Sequence, residues 1–223
     1  MDFKEYPDRD LLALSLADSL ASELGAALRH EDRVTFCVPG GTTPGPVFDA
    51  LTAVKLDWDR VDVVLNDERW VPESSPRSNT ALLRQRLLQG HAAAAGLLPL
   101  YADLPEPDMA MDALSEAIRP HLPINVLLLG MGTDAHTASL FPGADRLADA
   151  LAPDAPILLP MRAEGAGEPR ITITARYLKG AMSTHVVIMG DEKRRVLEEA
   201  LGMKPEDAPI AAILPGAVVH WAP

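Results

Sequence analysis

Asp134 and His136 stand two residues apart, with Thr137 and Ser139 just beyond, in the stretch GMGTDAHTASLFPG at 130–143. An imidazole moves protons near neutral pH, and a neighbouring carboxylate can fix its tautomer, so the pair suits general acid–base work. The residues before it, Ile124-Asn125-Val126-Leu127-Leu128-Leu129, read as a buried strand. A strand that ends in a glycine-rich turn delivers such groups to the carboxyl edge of a sheet, where open α/β folds bind ligands. The same residues also suit a plain turn whose Asp and Thr cap the following helix.

Three other strand ends carry polar loops. After Val34–Val38 comes Pro39-Gly40-Gly41-Thr42-Thr43-Pro44. Glycines allow close backbone approach, Pro44 suits a first helical position, and free N–H groups beside two hydroxyls make an anion site. The spacing is neither that of a Walker loop nor GxGxxG, so no nucleotide is implied. After Val61–Leu65 comes Asn66-Asp67-Glu68-Arg69-Trp70. Solvation on the surface would explain these charges. In the functional alternative the planar fork of Arg69 holds a phosphate, while Asp67 or Glu68 orients it or contacts sugar hydroxyls. The fourth loop, Gly190-Asp191-Glu192-Lys193, places Lys193 in the first turn of a helix, where a cation opposes the dipole unless an anion offsets it. Arg170, after Pro169, either holds an anion or pairs with a surface acid.

These loops need a scaffold, and the hydrophobic pattern supplies one. Leu11, Leu12, Leu14, Leu20, Leu24 and Leu28 fall broadly on a helical face, with Asp8 and Asp10 as caps. Short helices follow through Val47–Leu51, Asn79–Leu88, Met109–Ile118 and Asp191–Leu201. Further strands are expected at 157–159, 171–174 and 185–189, with a surface turn at 164–169, and the chain ends in two apolar stretches, 210–214 and 218–221. Strands alternate with helical segments and no repeat or long linker intervenes. The pattern predicts one α/β domain over 1–223, a mostly parallel sheet with helices on both faces.

Composition narrows the chemistry. Twenty Lys and Arg against 32 Asp and Glu give a net charge of −12, and no basic run offers a patch for phosphates or anionic lipid. No nucleic-acid or membrane partner is expected. The single cysteine, Cys37, lies in an apolar run and reads as a buried hydrophobe; it excludes an internal disulfide or a cysteine zinc cluster. Asp134 and His136 are too few ligands to define a metal site. The polar start MDFKEYPDRD is unlike a signal peptide, and no apolar stretch looks long enough to span a bilayer, so a cytoplasmic chain is expected. Trp58, Trp70 and Trp221 are far apart and read as packing groups. Ser74, Ser75 and Ser78 read as loop and cap residues.

Together GGTTP at 40–44, DERWVP at 67–72 with SN at 78–79, GMGTDAHTASLFPG at 130–143, PRITIT at 169–174 and GDEK at 190–193 resemble the 6-phosphogluconolactonase family, within the glucosamine-6-phosphate isomerase/deaminase superfamily. The segments occur in the family's order and span most of the chain. The resemblance implies a Rossmann-like fold and hydrolysis of 6-phospho-D-glucono-1,5-lactone to 6-phosphogluconate, without a cofactor. It implies that Gly41, Thr42, Thr43, Arg69 and Lys193 hold the substrate phosphate and that His136, supported by Asp134, does acid–base work. Gly40, Asp67, Glu68 and Arg170 are further candidates for substrate contact. A small sugar phosphate is the expected partner, with the chain a monomer or homodimer. The family carries Gly between the acid and the histidine, where this chain has Ala135; if that position needs a positive φ, alanine carries strain. A sugar-phosphate isomerase or amino-sugar-phosphate deaminase is the nearest alternative. The deaminases, however, carry an acid shortly after the histidine, where this chain reads Ser139-Leu140-Phe141-Pro142. A sugar-phosphate sensor that has lost its chemistry is a third reading, disfavoured by the presence of both Asp134 and His136.

Overall fold

Apolar runs without helical periodicity need cover on both faces, and here they form the centre of a sheet. The computed structural model describes residues 1–223. Its first half runs β1 (Asp2–Glu5), α1 (Arg9–Leu28), β2 (Val34–Val38), α2 (Gly45–Leu51), β3 (Val61–Leu65), β4 (Asp67–Arg69), α3 (Asn79–Arg86), β5 (Gly96–Leu98) and α4 (Met111–Ile118). The second half runs β6 (Val126–Leu129), α5 (Leu147–Leu151), β7 (Leu158–Met161), β8 (Arg170–Ile173), α6 (Ala175–Lys179), β9 (Ser183–Met189), α7 (Asp191–Ala200) and β10 (Val218–Ala222).

Seven strands make the main sheet in the order β1-β10-β9-β6-β2-β3-β5, and every pairing in it is parallel. Every residue of β2, β3 and β6 is buried. From β2 the chain moves outward through β3 to β5, then returns to the other side of β2 and moves outward again through β6, β9 and β10. The direction therefore reverses between β2 and β6. In a doubly wound sheet the crevice beyond the carboxyl ends of such a strand pair is the natural ligand site. The expected mostly parallel α/β architecture is present.

A second sheet, β4-β8-β7, is antiparallel and stands on the rim of the first. The sequence pattern missed β4 because its three residues are all charged. Two of them are not solvated: Glu68 is fully buried and Asp67 nearly so, while Arg69 is half-buried. β1 and β5 were also missed. Each is short and lies at an edge of the sheet, where burial on both faces is not demanded.

Helix α1 corrects two expectations. Its buried face is Leu12, Leu16, Leu20, Leu24 and Leu28, whereas Leu11 and Leu14 are exposed. Its 20 residues are also long and apolar enough to cross a membrane by length and composition, contrary to the sequence expectation. In the fold that apolar face packs on β2, β6 and β10. Asp8 caps α1, its carboxylate accepting from the Leu11 N–H at 2.8 Å, and Ser78 caps α3. Cys37 and the three tryptophans are buried.

Candidate active site

A cleft of about 340 Å³ opens where the sheet reverses direction. Its walls come from the loop after β2 (Pro39–Gly41, Thr43, Pro44), the end of β3 with β4 (Asn66, Asp67, Arg69), the loop after β6 (Gly130–Gly132, His136, Ala138, Phe141), Arg170 of β8 and Lys193 of α7. All four polar loops picked out in the sequence thus meet in one place, although the first and last lie about 150 residues apart.

The loop after β6 sets the imidazole. His136 Nδ1 lies 2.5 Å from Asp134 Oδ1, and the His136 backbone N–H donates to the same oxygen at 3.2 Å. The His136 hydrogen bond holds the Asp134 carboxyl below its ordinary range, so it stays an acceptor. That assigns the ring proton to Nδ1 and leaves the Nε2 lone pair, which has no protein partner, for the cleft. Gly132 has to be glycine, because a Cβ there would overlap both the His136 ring and the Asp134 carboxylate. Thr137 Oγ1 donates to the Gly130 carbonyl at 2.8 Å and closes the turn. Phe141 packs its ring 4.5 Å from that of His136, centroid to centroid. Ala135 has φ 61° and Ala138 φ 50°, so the strain suspected at position 135 is present, and a second alanine shares it.

The cleft also gathers three cationic side chains, Arg69, Arg170 and Lys193. Arg69 and Arg170 are direct partners across the β4–β8 ladder, an arrangement that repels unless an anion offsets it. Burial lowers the Arg170 pKa; Asp67 opposes that shift and Arg69 adds to it. The Nε groups of both arginines are buried without a protein acceptor. Burial likewise lowers the pKa of the Lys193 ammonium, against the pull of Asp134, and its Nζ donates to the Met131 carbonyl. The amides of Gly40, Gly41, Thr42 and Thr43 donate to no backbone acceptor. Loop amides without acceptors, gathered with three cationic side chains around one cleft, are what an anionic group satisfies.

Not every candidate faces the cleft. Gly40, Gly41, Thr43, Asp67, Arg69, His136, Arg170 and Lys193 line it. Thr42 turns outward and is exposed, and Asp134 stands behind His136. Glu68, expected near sugar hydroxyls or as an orienting group for Arg69, is instead sealed inside. Its carboxylate accepts from the amides of Arg69, Asn79 and Thr80 and from the hydroxyls of Ser78 and Thr80. Asp67 does not pair with Arg69 either; it accepts from Ser139 Oγ at 2.6 Å. Asn79 and Phe141 line the cleft but were given no role from sequence, although both fall inside the motifs that were singled out. No group of three or more His, Cys, Asp or Glu side chains is arranged to hold a metal ion.

Residues 7–221 match the family model described as glucosamine-6-phosphate isomerases/6-phosphogluconolactonase. A 6-phosphogluconolactonase from Mesorhizobium japonicum is 42% identical over 228 residues, covering 100% of this chain and 95% of its own. One from Rhizobium meliloti is 41% identical, covering 98% and 97%. The crystal structure of a 6-phosphogluconolactonase from Shewanella baltica superposes with a TM-score of 0.96 at 30% identity, covering 100% of this chain and 98% of that one.

Proposed function

From the premise that this chain belongs to the glucosamine-6-phosphate isomerase/6-phosphogluconolactonase family, we propose that its cleft opens 6-phospho-D-glucono-1,5-lactone to 6-phospho-D-gluconate. The chain is a lactone hydrolase, acting at the second step of the oxidative pentose phosphate pathway. The observation that carries the residue roles is His136, fixed by Asp134 through Nδ1 and open at Nε2, in a cleft that also holds Arg69, Arg170 and Lys193.

A lactone is a cyclic ester, so hydrolysis needs an activated water, a stabilised tetrahedral oxyanion and a proton for the leaving ring oxygen. His136 Nε2 takes the proton as water attacks the carbonyl carbon. When the carbon–ring-oxygen bond breaks, the imidazolium returns the proton to that oxygen. Asp134 keeps the ring in the reactive tautomer and stabilises the imidazolium. Arg69, Thr43, Lys193 and the amides of 40–43 hold the phosphate, with Arg170 beside them; backbone N–H groups of the glycine-rich loops serve the oxyanion. The phosphate lies away from the reacting carbon, so its binding energy positions the ring. Asp67, with one oxygen held by Ser139, faces the sugar hydroxyls.

Enolisation, as in the isomerases and deaminases, would need a carboxylate to work on the substrate carbon. Asp67, the one carboxylate lining the cleft, is available for that role, but no acid follows His136 as it does in the deaminases, and Phe141 packs against the imidazole instead. That favours hydrolysis. In the same reading the chain acts as one domain over 1–223 in the cytoplasm, as a monomer or homodimer, needing no cofactor and engaging neither nucleic acid nor membrane; its net charge of −12 supports the last point.

The test uses lactone made fresh from glucose 6-phosphate, with product read through 6-phosphogluconate dehydrogenase and spontaneous hydrolysis subtracted. Folded wild type is expected to accelerate hydrolysis strongly, and His136→Ala to lose about 10²–10⁴-fold in kcat. Wild-type turnover in the mutant would remove His136 from the chemistry. No acceleration by wild type would reject the hydrolase reading.

A further inference from the structure

Arg69 is held from one side only, and by neutral acceptors. Its Nη1 donates to the Asn79 Oδ1 at 2.6 Å and to the Arg77 carbonyl at 2.8 Å, while its Nε has no protein acceptor. No carboxylate hydrogen-bonds its guanidinium, although Asp67 and Glu68 are its neighbours in sequence and Glu68 accepts from its backbone N–H. The guanidinium is therefore oriented without losing its charge.

Asn79 is the centre of that arrangement. The residue is 2% exposed, and its Nδ2 donates to the Asp67 carbonyl at 3.0 Å, so oxygen and nitrogen of one amide grip both ends of β4. It also packs directly on Gly40, where a Cβ would overlap the amide. Its own backbone is pinned by Glu68, which accepts from the Asn79 N–H at 2.8 Å. One buried amide thus joins the anion loop after β2, the arginine of β4 and the start of α3.

We propose that Asn79 is a positioning residue for the phosphate end of the substrate: it aims Arg69 into the cleft and, being an amide, leaves the full positive charge for the ligand. The proposal rests on Arg69 serving the phosphate. An aspartate of the same shape would keep the acceptor for Nη1 but would neutralise the guanidinium and lose the donor to Asp67. The first turn of a helix tolerates an acid, so Asn79→Asp is a variant expected to fold.

The experiment compares wild type, Asn79→Asp, Arg69→Gln and the double variant on 6-phosphogluconolactone and on unphosphorylated glucono-1,5-lactone, with thermal melts alongside. Asn79→Asp is expected to raise KM for the phosphorylated lactone at least about tenfold, as loss of a charge-assisted contact should, with kcat within about twofold. Its effect on the unphosphorylated lactone should be small, and in the Arg69→Gln background it should add little further loss. An unchanged KM, or equal kcat losses on both lactones, would overturn the positioning role. If Arg69→Gln itself left KM for the phosphorylated lactone unchanged, the assignment of Arg69 to the phosphate would fail instead, and the role of Asn79 with it. Should Asn79→Asp melt early, Asn79→Ser, which shortens the reach to Arg69 without adding charge, reads the same KM-against-kcat split.

Discussion

At the scale of single residues, the loop that carries the acid and the imidazole is under backbone strain. Ala135 and Ala138 both have left-handed φ, which costs an L-residue about 1–2 kcal/mol, and strain of this kind collects where the surroundings over-determine a functional geometry. Gly132 spares the loop further cost by leaving room for His136 and Asp134. Replacing Ala135 by glycine should therefore raise stability by about 0.5–1 kcal/mol, the relief being partly offset by glycine's freedom in the unfolded chain. Denaturant melts of Ala135→Gly measure this, and a clear loss of stability would show that the position is not strained. Asp134 and His136 were legible as a pair from their spacing alone. The strain was legible only as a condition on φ, which the fold then met.

Among the elements, β4 decides most. It is three charged residues long, yet two of the three are buried, because each finds partners that sequence proximity does not supply. Asp67 meets Ser139, 72 positions away, and Glu68 meets the first turn of α3. Glu68 acts as an acidic cap, its carboxylate serving amide and hydroxyl donors at a helix N-terminus. In Glu68→Gln one acceptor oxygen becomes an NH₂ group turned toward donors. A loss of about 1–3 kcal/mol is expected, with a raised KM for the phosphorylated lactone as the 77–79 segment that holds Arg69 loosens. Urea denaturation with steady-state kinetics checks both parts; an unchanged midpoint would mean that the cap contributes nothing. The long apolar strands needed no such partners to be recognised, whereas a short polar strand carries no periodic signal at all.

Across the whole molecule, a polar chain running through the buried His185 and His220 ties the first and last segments to the sheet. The Tyr6 hydroxyl lies 2.9 Å from His220 Nδ1, His220 Nε2 lies 2.9 Å from His185 Nδ1, and His185 Nε2 lies 2.9 Å from the Glu23 carboxylate of α1. Neutral His220 with its proton on Nε2 accepts from the Tyr6 hydroxyl and donates to His185 Nδ1. Burial, reinforced by His185, pushes the His220 pKa from 6.5 down to about 3. Between those values the unfolded chain binds a proton that native His220 refuses, so stability falls as pH drops from about 6.5 towards 3. Gln at 220 can accept from Tyr6 and donate to His185 without titrating. The His220→Gln variant should therefore lose stability less steeply over that window, as read from denaturant melts at a series of pH values. A slope equal to that of wild type would place the acid sensitivity elsewhere.

The apolar runs of β2, β3, β6 and β9 and the polar turns that follow them determined, by sequence alone, a parallel sheet with its chemistry at the carboxyl edge. Uninterrupted Val, Ile and Leu are stable only where both faces are covered, and polar residues must then gather where the strands stop. What sequence left open was which of those polar groups face one another. Tertiary structure decided that Arg69 would stand opposite Arg170, that Thr42 would turn out and Glu68 in, and that Asn79 and Phe141 would join the cleft. Those outcomes depend on contacts between segments tens of residues apart, whose geometry is set by the order of strands in the sheet rather than by any local pattern of residue types.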